Sequence, residues 1–443
     1  MTTGIPDRAR LLAVAAVVTL LGCGGSASPS SASTAGSASN DAGPASSAPA
    51  VASPSALASV MPSPTKSPSS TPSASRPPAR GFGWDRIGTI AGTTDVSGVL
   101  AFDGSSVAFG GGPDGSRTWL SADGRTWSAS TLSSMVKACP VSDSEADAYP
   151  EAGATDGHTI VLVGIEYRLD VTPCGSMRAV SWASSDGHTW LRSTGWGAAG
   201  ASAAFSDAKS VWAVPGGWEA IVWTGSDKPT TLWRSPDGTT WQESTDVVIR
   251  QPGGSLVPNT GLAAYAGAAD AGGTRLLALS NDQDAAIAGI PGGVGALMTS
   301  TDGKVWQEVD ATFTAGRAGA GIGKIVPPSA GASSWLLVTQ IPERNPVIWT
   351  TPDLRHWTKK TFAMPALAGL GLTRYGYVAT GHDPCGMTGG GCPPPKPTTQ
   401  YLSANGLTWT RFASSVSAPY IVDGPAGVLA VNDQNGRVWR LKR

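Results

Sequence analysis

One nine-residue unit returns six times along this 443-residue chain, and it limits the possible folds more than any other feature. Its copies run Trp119 to Trp127, Trp182 to Trp190, Trp233 to Trp241, Met298 to Trp306, Trp349 to Trp357 and Tyr401 to Trp409. Each centres on Asp123, Asp186, Asp237, Asp302, Asp353 or Asn405, with Ser or Thr two residues before it. Glycine follows in five of the six. An Asp-Gly pair between two β-rich runs supplies a positive-φ position and a carboxylate for turn amides, which is the chemistry of a tight hairpin. The copies recur every 50 to 65 residues or so, room for a four-stranded antiparallel unit with its loops. Each unit therefore reads as one blade of a propeller.

The pattern Ser/Thr-x-Asp-Gly-x-Thr-Trp resembles the Asp-box (BNR) repeat of sialidase-like propellers, in a form one residue shorter than usual. The resemblance covers roughly residues 81–443. It implies a fold more than an activity, since Asp-boxes resemble structural clips placed away from the catalytic face. Gly81 to Arg86 matches the second half of the unit, and Val438-Trp439-Arg440 matches the first half. A unit cut in two and placed at both ends is what circular closure needs. The expectation is an all-β, seven-bladed propeller of four-stranded antiparallel blades, closed by pairing the strand at Trp84 with the strand at Trp439.

The chain before the propeller divides at Cys23. Residues 1–22 carry Arg8, Arg10 and an apolar run from Leu11 to Leu21, too short to span a bilayer and typical of a secretory signal. Leu20-Leu21-Gly22-Cys23 resembles a bacterial lipobox, which implies cleavage before Cys23 and lipidation of its thiol. Residues 23–80 are rich in Ser, Ala and Pro and too poor in large apolar residues to offset the entropy of ordering. As a coil this tether spans on the order of 40 Å. An extracytoplasmic protein, lipid-anchored to a bacterial cell membrane, is expected.

If the strands of a blade are lettered A to D from the axis outwards, the Asp-Gly unit is the C to D turn. B to C and D to A loops then share the opposite face. Long insertions fall there: about 168–177, 281–295 and 381–398 between B and C, and 131–148 and 246–260 between D and A. Elaborated loops on a rigid scaffold are where binding resides. Cys139 and Cys174 lie in neighbouring loops of this face, and Cys385 and Cys392 share one loop. In an exported chain these read as two disulfides, Cys139 with Cys174 and Cys385 with Cys392.

The same face supplies the candidate ligand-binding residues: Glu151, Glu166, Tyr167, Arg168, Glu343, Arg344, His382 and Asp383. Converging carboxylates there suit acid–base work on a glycosidic bond or cation binding, against the plainer reading of a solvated surface. Of the 17 tryptophans, twelve fall at repeat positions and read as packing. Trp196, in a D to A connection, and Trp223, near the end of a B strand, are weighed as ligand contacts against packing between blades. No cofactor is expected; calcium is a weak option at Asp282 and Asp284.

A net charge of -1, with 14% charged residues and no basic stripe, gives nucleic acid nothing to hold. A sialidase would need an arginine triad to grip a carboxylate, and the Phe/Tyr-Arg-Ile-Pro signature near the start of that family is missing; Arg86-Ile87-Gly88 is the nearest run. No catalytic residue is assigned. The leading expectation is a monomeric envelope lipoprotein whose propeller binds a glycan or protein partner without catalysis. A glycoside hydrolase using loop-face carboxylates and a scaffold for an envelope complex are the alternatives.

Overall fold

The computed structural model describes residues 81–133, 148–168, 176–193, 195–196, 206–223, 230–251, 253–258, 264–279, 297–309, 321–329, 332–340, 346–361, 366–382, 400–412, 416 and 418–443. Among them every regular element is a strand. Seven four-stranded antiparallel blades stand around an axis. Their inner strands are Asp95–Phe102, Ala148–Thr155, Asp207–Val214, Ala264–Ala269, Gly321–Val326, Ala366–Thr373 and Tyr420–Gly424. Each inner strand touches the next, and the seventh touches the first.

The ring closes as the split repeat anticipates. Gly83–Thr89 is the outermost strand of blade seven and pairs antiparallel with Arg437–Lys442, placing Trp84 opposite Leu441 and Arg86 opposite Trp439. Each end of the chain thereby satisfies backbone groups that an open array would leave as an unpaired edge.

Blades three and four depart from the expected four strands. The connection entering blade three forms a short strand, Gly195–Trp196, parallel to the outer strand Thr240–Glu243. The connection entering blade four forms a hairpin in which Val248–Arg250 pairs parallel to Val305–Glu308 and Leu256–Pro258 lies outermost. Segment 246–260 is therefore not a loop of the elaborated face along its described length. A chain leaving one blade must travel back to the axis, and running along the next blade's outer strand pairs that strand's free backbone groups on the way.

The Asp-Gly turns join the third strand to the fourth and behave as clips. In blade one the amides of Arg125 and Thr126 donate to Asp123 Oδ1 at 2.7 and 2.8 Å, and the Gly124 amide donates to Ser121 Oγ at 2.9 Å. The same set recurs around Asp186, Asp237 and Asp302, and Asn405 substitutes its amide oxygen in blade six. Amide donors, the first at Thr126 and the second at Arg125, hold Asp123 at about 2. The Thr189 and His188 amides do the same for Asp186. At Asp237, burial pulls upward, yet the Thr240 and Thr239 amides still bring the carboxyl to about 2.

Each turn lies over the preceding blade. A Cβ at Gly238, whose φ is +77°, would stand 2.3 Å from Val161 Cγ2 of blade two. Blade five has Leu354 at this position, held at φ 59° with its side chain packed on the apolar cluster of blade four. The third-strand tryptophans Trp119, Trp182 and Trp233 are almost wholly buried, as is Trp306 of a fourth strand. Each such burial is worth on the order of 4 kcal/mol at ~25 cal/mol per Å².

Candidate functional site

Six of the seven inner strands carry a register slip at one level: between Val96 and Gly98, Pro150 and Ala152, Ala208 and Ser210, Ala264 and Ala266, Ile322 and Lys324, and Leu367 and Gly369. A bulge inserts one unpaired residue and re-aims a side chain. Glu151 and Lys209 occupy it in blades two and three. Repeated around a ring, this device sets a belt of re-aimed side chains near the start of the inner strands. That end belongs to the face opposite the Asp-Gly turns.

A connected set of charges occupies the belt. Lys209 Nζ donates to Glu151 Oε2 at 2.9 Å and is ion-paired with Asp207 Oδ2. Asp207 is 4% exposed, and its Oδ1 takes no hydrogen bond. Burial raises the carboxyls of both Glu151 and Asp207; the Asp207 charge adds to the rise at Glu151, and Lys209 opposes both. Burial alone would lower Lys209, but the hydrogen bond and charge of Asp207, with Glu151, raise it.

Blades one, two and seven extend this set. The Tyr149 hydroxyl donates to Asp95 Oδ2, and Asp95 Oδ1 fills the space a side chain at Gly111 would need. Burial and Asp95 push the Tyr149 phenol up. Burial, with Asp433 and Asp95 nearby, pushes Tyr420 to about 12. The Asp433 carbonyl accepts the Val96 amide at 2.7 Å, fixing the last loop of blade seven to the first strand of blade one. The resulting crescent holds Asp433, Tyr420, Asp95, Tyr149, Glu151, Lys209 and Asp207, four carboxylates to one ammonium. Lys324, on the inner strand of blade five, is exposed.

The sequence candidates divide. Glu151 belongs to the crescent, and Trp223 pairs through its backbone with Asp207 and is half-buried. Glu166 is fully buried: Arg178 Nε donates to its Oε2 at 2.7 Å, and Arg192 pairs with the same oxygen. Tyr167 and Arg168 end the second strand of blade two, opposite Met177 and Ser176. His382 ends the second strand of blade six. Trp196 is removed from the channel: its ring stacks on Trp241 at 4.5 Å and 5° and meets Trp233 edge-on at 5.6 Å. Its surroundings are those of packing at the outer edge of blade three.

Cys23, Cys139, Cys174, Cys385, Cys392, Asp282, Asp284, Glu343, Arg344 and Asp383 lie outside the described residues. Among the described residues no three His, Cys, Asp or Glu side chains are grouped to hold a metal ion. Asp95, Tyr149, Asp207, Lys209 and Tyr420 were not singled out from the sequence; Asp433, in the run Asn432-Asp433-Gln434-Asn435, was read there only as a weak calcium option. The available signal was polarity at the start of the inner strands of blades one to three, in register with Glu151.

No protein-family model matches the chain, and a search of the curated proteins finds no match either. Among solved structures the chain resembles the GH74 xyloglucanase from Xanthomonas campestris, at 15% identity and a TM-score of 0.49, over 81% of this chain and 55% of that one. Trypanosoma rangeli sialidase is similar at 10% identity and a TM-score of 0.38, over 78% and 54% of the two chains. The WD40 β-propeller domain of Doa1 is similar at 12% identity and a TM-score of 0.41, over 81% and 97%. The chain thus spans about half the length of the xyloglucanase and the sialidase. The neighbours include glycoside-hydrolase propellers, and at these identities the likeness is one of fold.

Proposed function

We propose that this protein is an envelope lipoprotein whose propeller binds a glycan, without catalysis, at the loop-face mouth of the channel. The observation that carries the reading is the buried Oδ1 of Asp207, which takes no hydrogen bond beside the Lys209–Glu151 pair. A buried carboxylate oxygen without a donor is costly, and a sugar hydroxyl supplies the donor. The excess of carboxylates over ammonium groups in the crescent favours a hydroxyl-rich or amine-bearing glycan over an acidic one. Lipidation at Cys23 and a tether over residues 23–80 fit a wall or surface ligand.

A second reading has one observation in its favour. Glu151 and Asp207 are two carboxyls raised by burial on neighbouring blades, the condition a proton donor in glycoside hydrolysis requires.

Titration of the full chain with cell-wall fragments and neutral or amino oligosaccharides, followed by thermal shift, tests the first reading. Stabilisation by one sugar class, lost in Asp207→Ala and without release of reducing ends, is the expected result. Sugar release abolished by Asp207→Ala supports the hydrolase instead. No shift with any saccharide removes the glycan reading and leaves a protein partner or a scaffold role.

A further inference from the structure

The repeat allows each junction between blades to be compared with the others. At one position in every blade a second-strand residue pairs with a third-strand residue, and in every blade but the sixth the next blade's turn lies over that pair. Blade one has Val107 with Leu120, blade two Val161 with Ala183, and blade five Leu336 with Thr350. In all blades but the third the second-strand member is Val or Leu. Blade three has Glu219 with Arg234. The residue facing them from blade four is Arg275, where blade two has Ile160 and blade six has Tyr377.

These charges are deeply placed. Glu219 is 1% exposed and Arg275 7%. Glu219 Oε2 accepts from Arg275 Nε at 2.7 Å and from Trp212 Nε1 at 3.1 Å, while Oε1 takes no hydrogen bond and has Arg234 Nε 3.5 Å away. Arg275 Nη1 donates to the Gly273 and Thr301 carbonyls. Desolvating such a set costs more than the Val and Leu contacts used elsewhere, so packing alone does not explain it.

The set opens on a cleft of about 440 Å³ between Pro215 and Pro236 of blade three and Lys304 of blade four, on the Asp-Gly turn face. Arg234, Arg275 and Lys304 are balanced by Glu219, Asp246 and Asp302, and Asp246 already bridges Arg234 and Lys304 at 2.9 and 2.8 Å. A cleft without net charge has little preference for an ion. It offers one acceptor without a hydrogen bond, Glu219 Oε1, beside the guanidinium of Arg275, and a sugar hydroxyl donates and accepts at once.

We propose that this cleft binds a neutral mono- or disaccharide through Glu219 and Arg275, as a site separate from the channel mouth. Pro215 and Pro236 supply the apolar wall that a sugar ring covers.

The test is saturation-transfer NMR on the full chain with glucose, cellobiose and the N-acetylglucosamine disaccharide, and with glucuronate as the anionic control. The triple variant Glu219→Val, Arg234→Leu, Arg275→Ile copies the junction of blades one and two and removes the charges as a set. It is expected to keep the wild-type melting temperature and to weaken saccharide binding at least tenfold. Gln242→Trp, an exposed position on the cleft, blocks the space without touching the ions and is expected to do the same. Saccharide signal that persists in Asp207→Ala and is lost in the cleft variants belongs to the cleft, and signal lost only in Asp207→Ala belongs to the channel mouth, so failure here and failure of the channel reading are separable. The proposal is overturned if no neutral sugar gives a signal, if only glucuronate does, or if both cleft variants bind as the wild type does.

Discussion

The indole of Trp196 lies flat on that of Trp241, with 4.5 Å between ring centres and 5° between planes. Trp196 belongs to the connection before blade three and Trp241 to that blade's outer strand, so the stack fastens a crossing segment to the blade it precedes. Trp196→Ala is expected to lower stability by about 2 kcal/mol, less than a fully buried tryptophan would, and to leave saccharide binding intact. Urea unfolding with a binding titration on the same variant checks both halves.

The turn aspartates make a statement about acid. Asp123, Asp186 and Asp237 titrate at about 2 in the folded chain against an ordinary 3.8. Their folded values are depressed, so their contribution is fully present above about pH 4 and disappears as pH falls towards 2. Melting temperatures are expected to drop across that window. Asp237→Asn should melt close to wild type at neutral pH, since Asn405 already accepts the same two amides in blade six, and should lose part of the acid dependence.

Lys209 opposes the upward pull of burial on Glu151 and Asp207. Without it both carboxyls rise further above their unfolded values. A raised acid favours folding below its unfolded value and loses that benefit as pH climbs through the folded one. Lys209→Met is therefore expected to cost roughly 1 kcal/mol at pH 7, after discounting for its exposure, and to converge on wild type near pH 4. Denaturant melts at the two pH values decide it.

Leu354 occupies the left-handed conformation that glycine holds in the other clips. Leu354→Gly relieves about 1 kcal/mol of backbone strain but removes a side chain packed on blade four and frees the unfolded chain. A net loss of about 1–2 kcal/mol is expected. A gain in melting temperature would mean that strain outweighs packing.

Removing residues 83–89 deletes the outer strand of blade seven and bares the edge Arg437–Lys442. The expected result is loss of a single cooperative melt and concentration-dependent association. Light scattering during the melt reads both.

The architecture was legible because one turn carries three independent signals at once: the positive-φ glycine, the amide-accepting aspartate and the packing tryptophan. The half-units at Trp84 and Trp439 then announced closure. The edge strands at Gly195–Trp196 and Val248–Arg250 were not legible, because a short segment that pairs only through its backbone needs no side-chain pattern. At the channel, Glu151 stood out as a charge in an inner strand. Asp207 and Lys209 did not, although Lys209 occupies the same bulge position as Glu151, because that equivalence shows only once the strand registers are known. Glu219 stands out only once the strand registers of all seven blades are aligned.

The pairing of Trp84 with Leu441 joins residues from opposite ends of the folded region. The strand at Trp84 is synthesised first and finds its partner last, after every other blade exists. Closing so long a loop is slow, because its entropy must be spent before the contact returns anything. Until that moment the chain carries two adhesive edges, and its yield depends on how quickly the ends meet relative to how often two chains do.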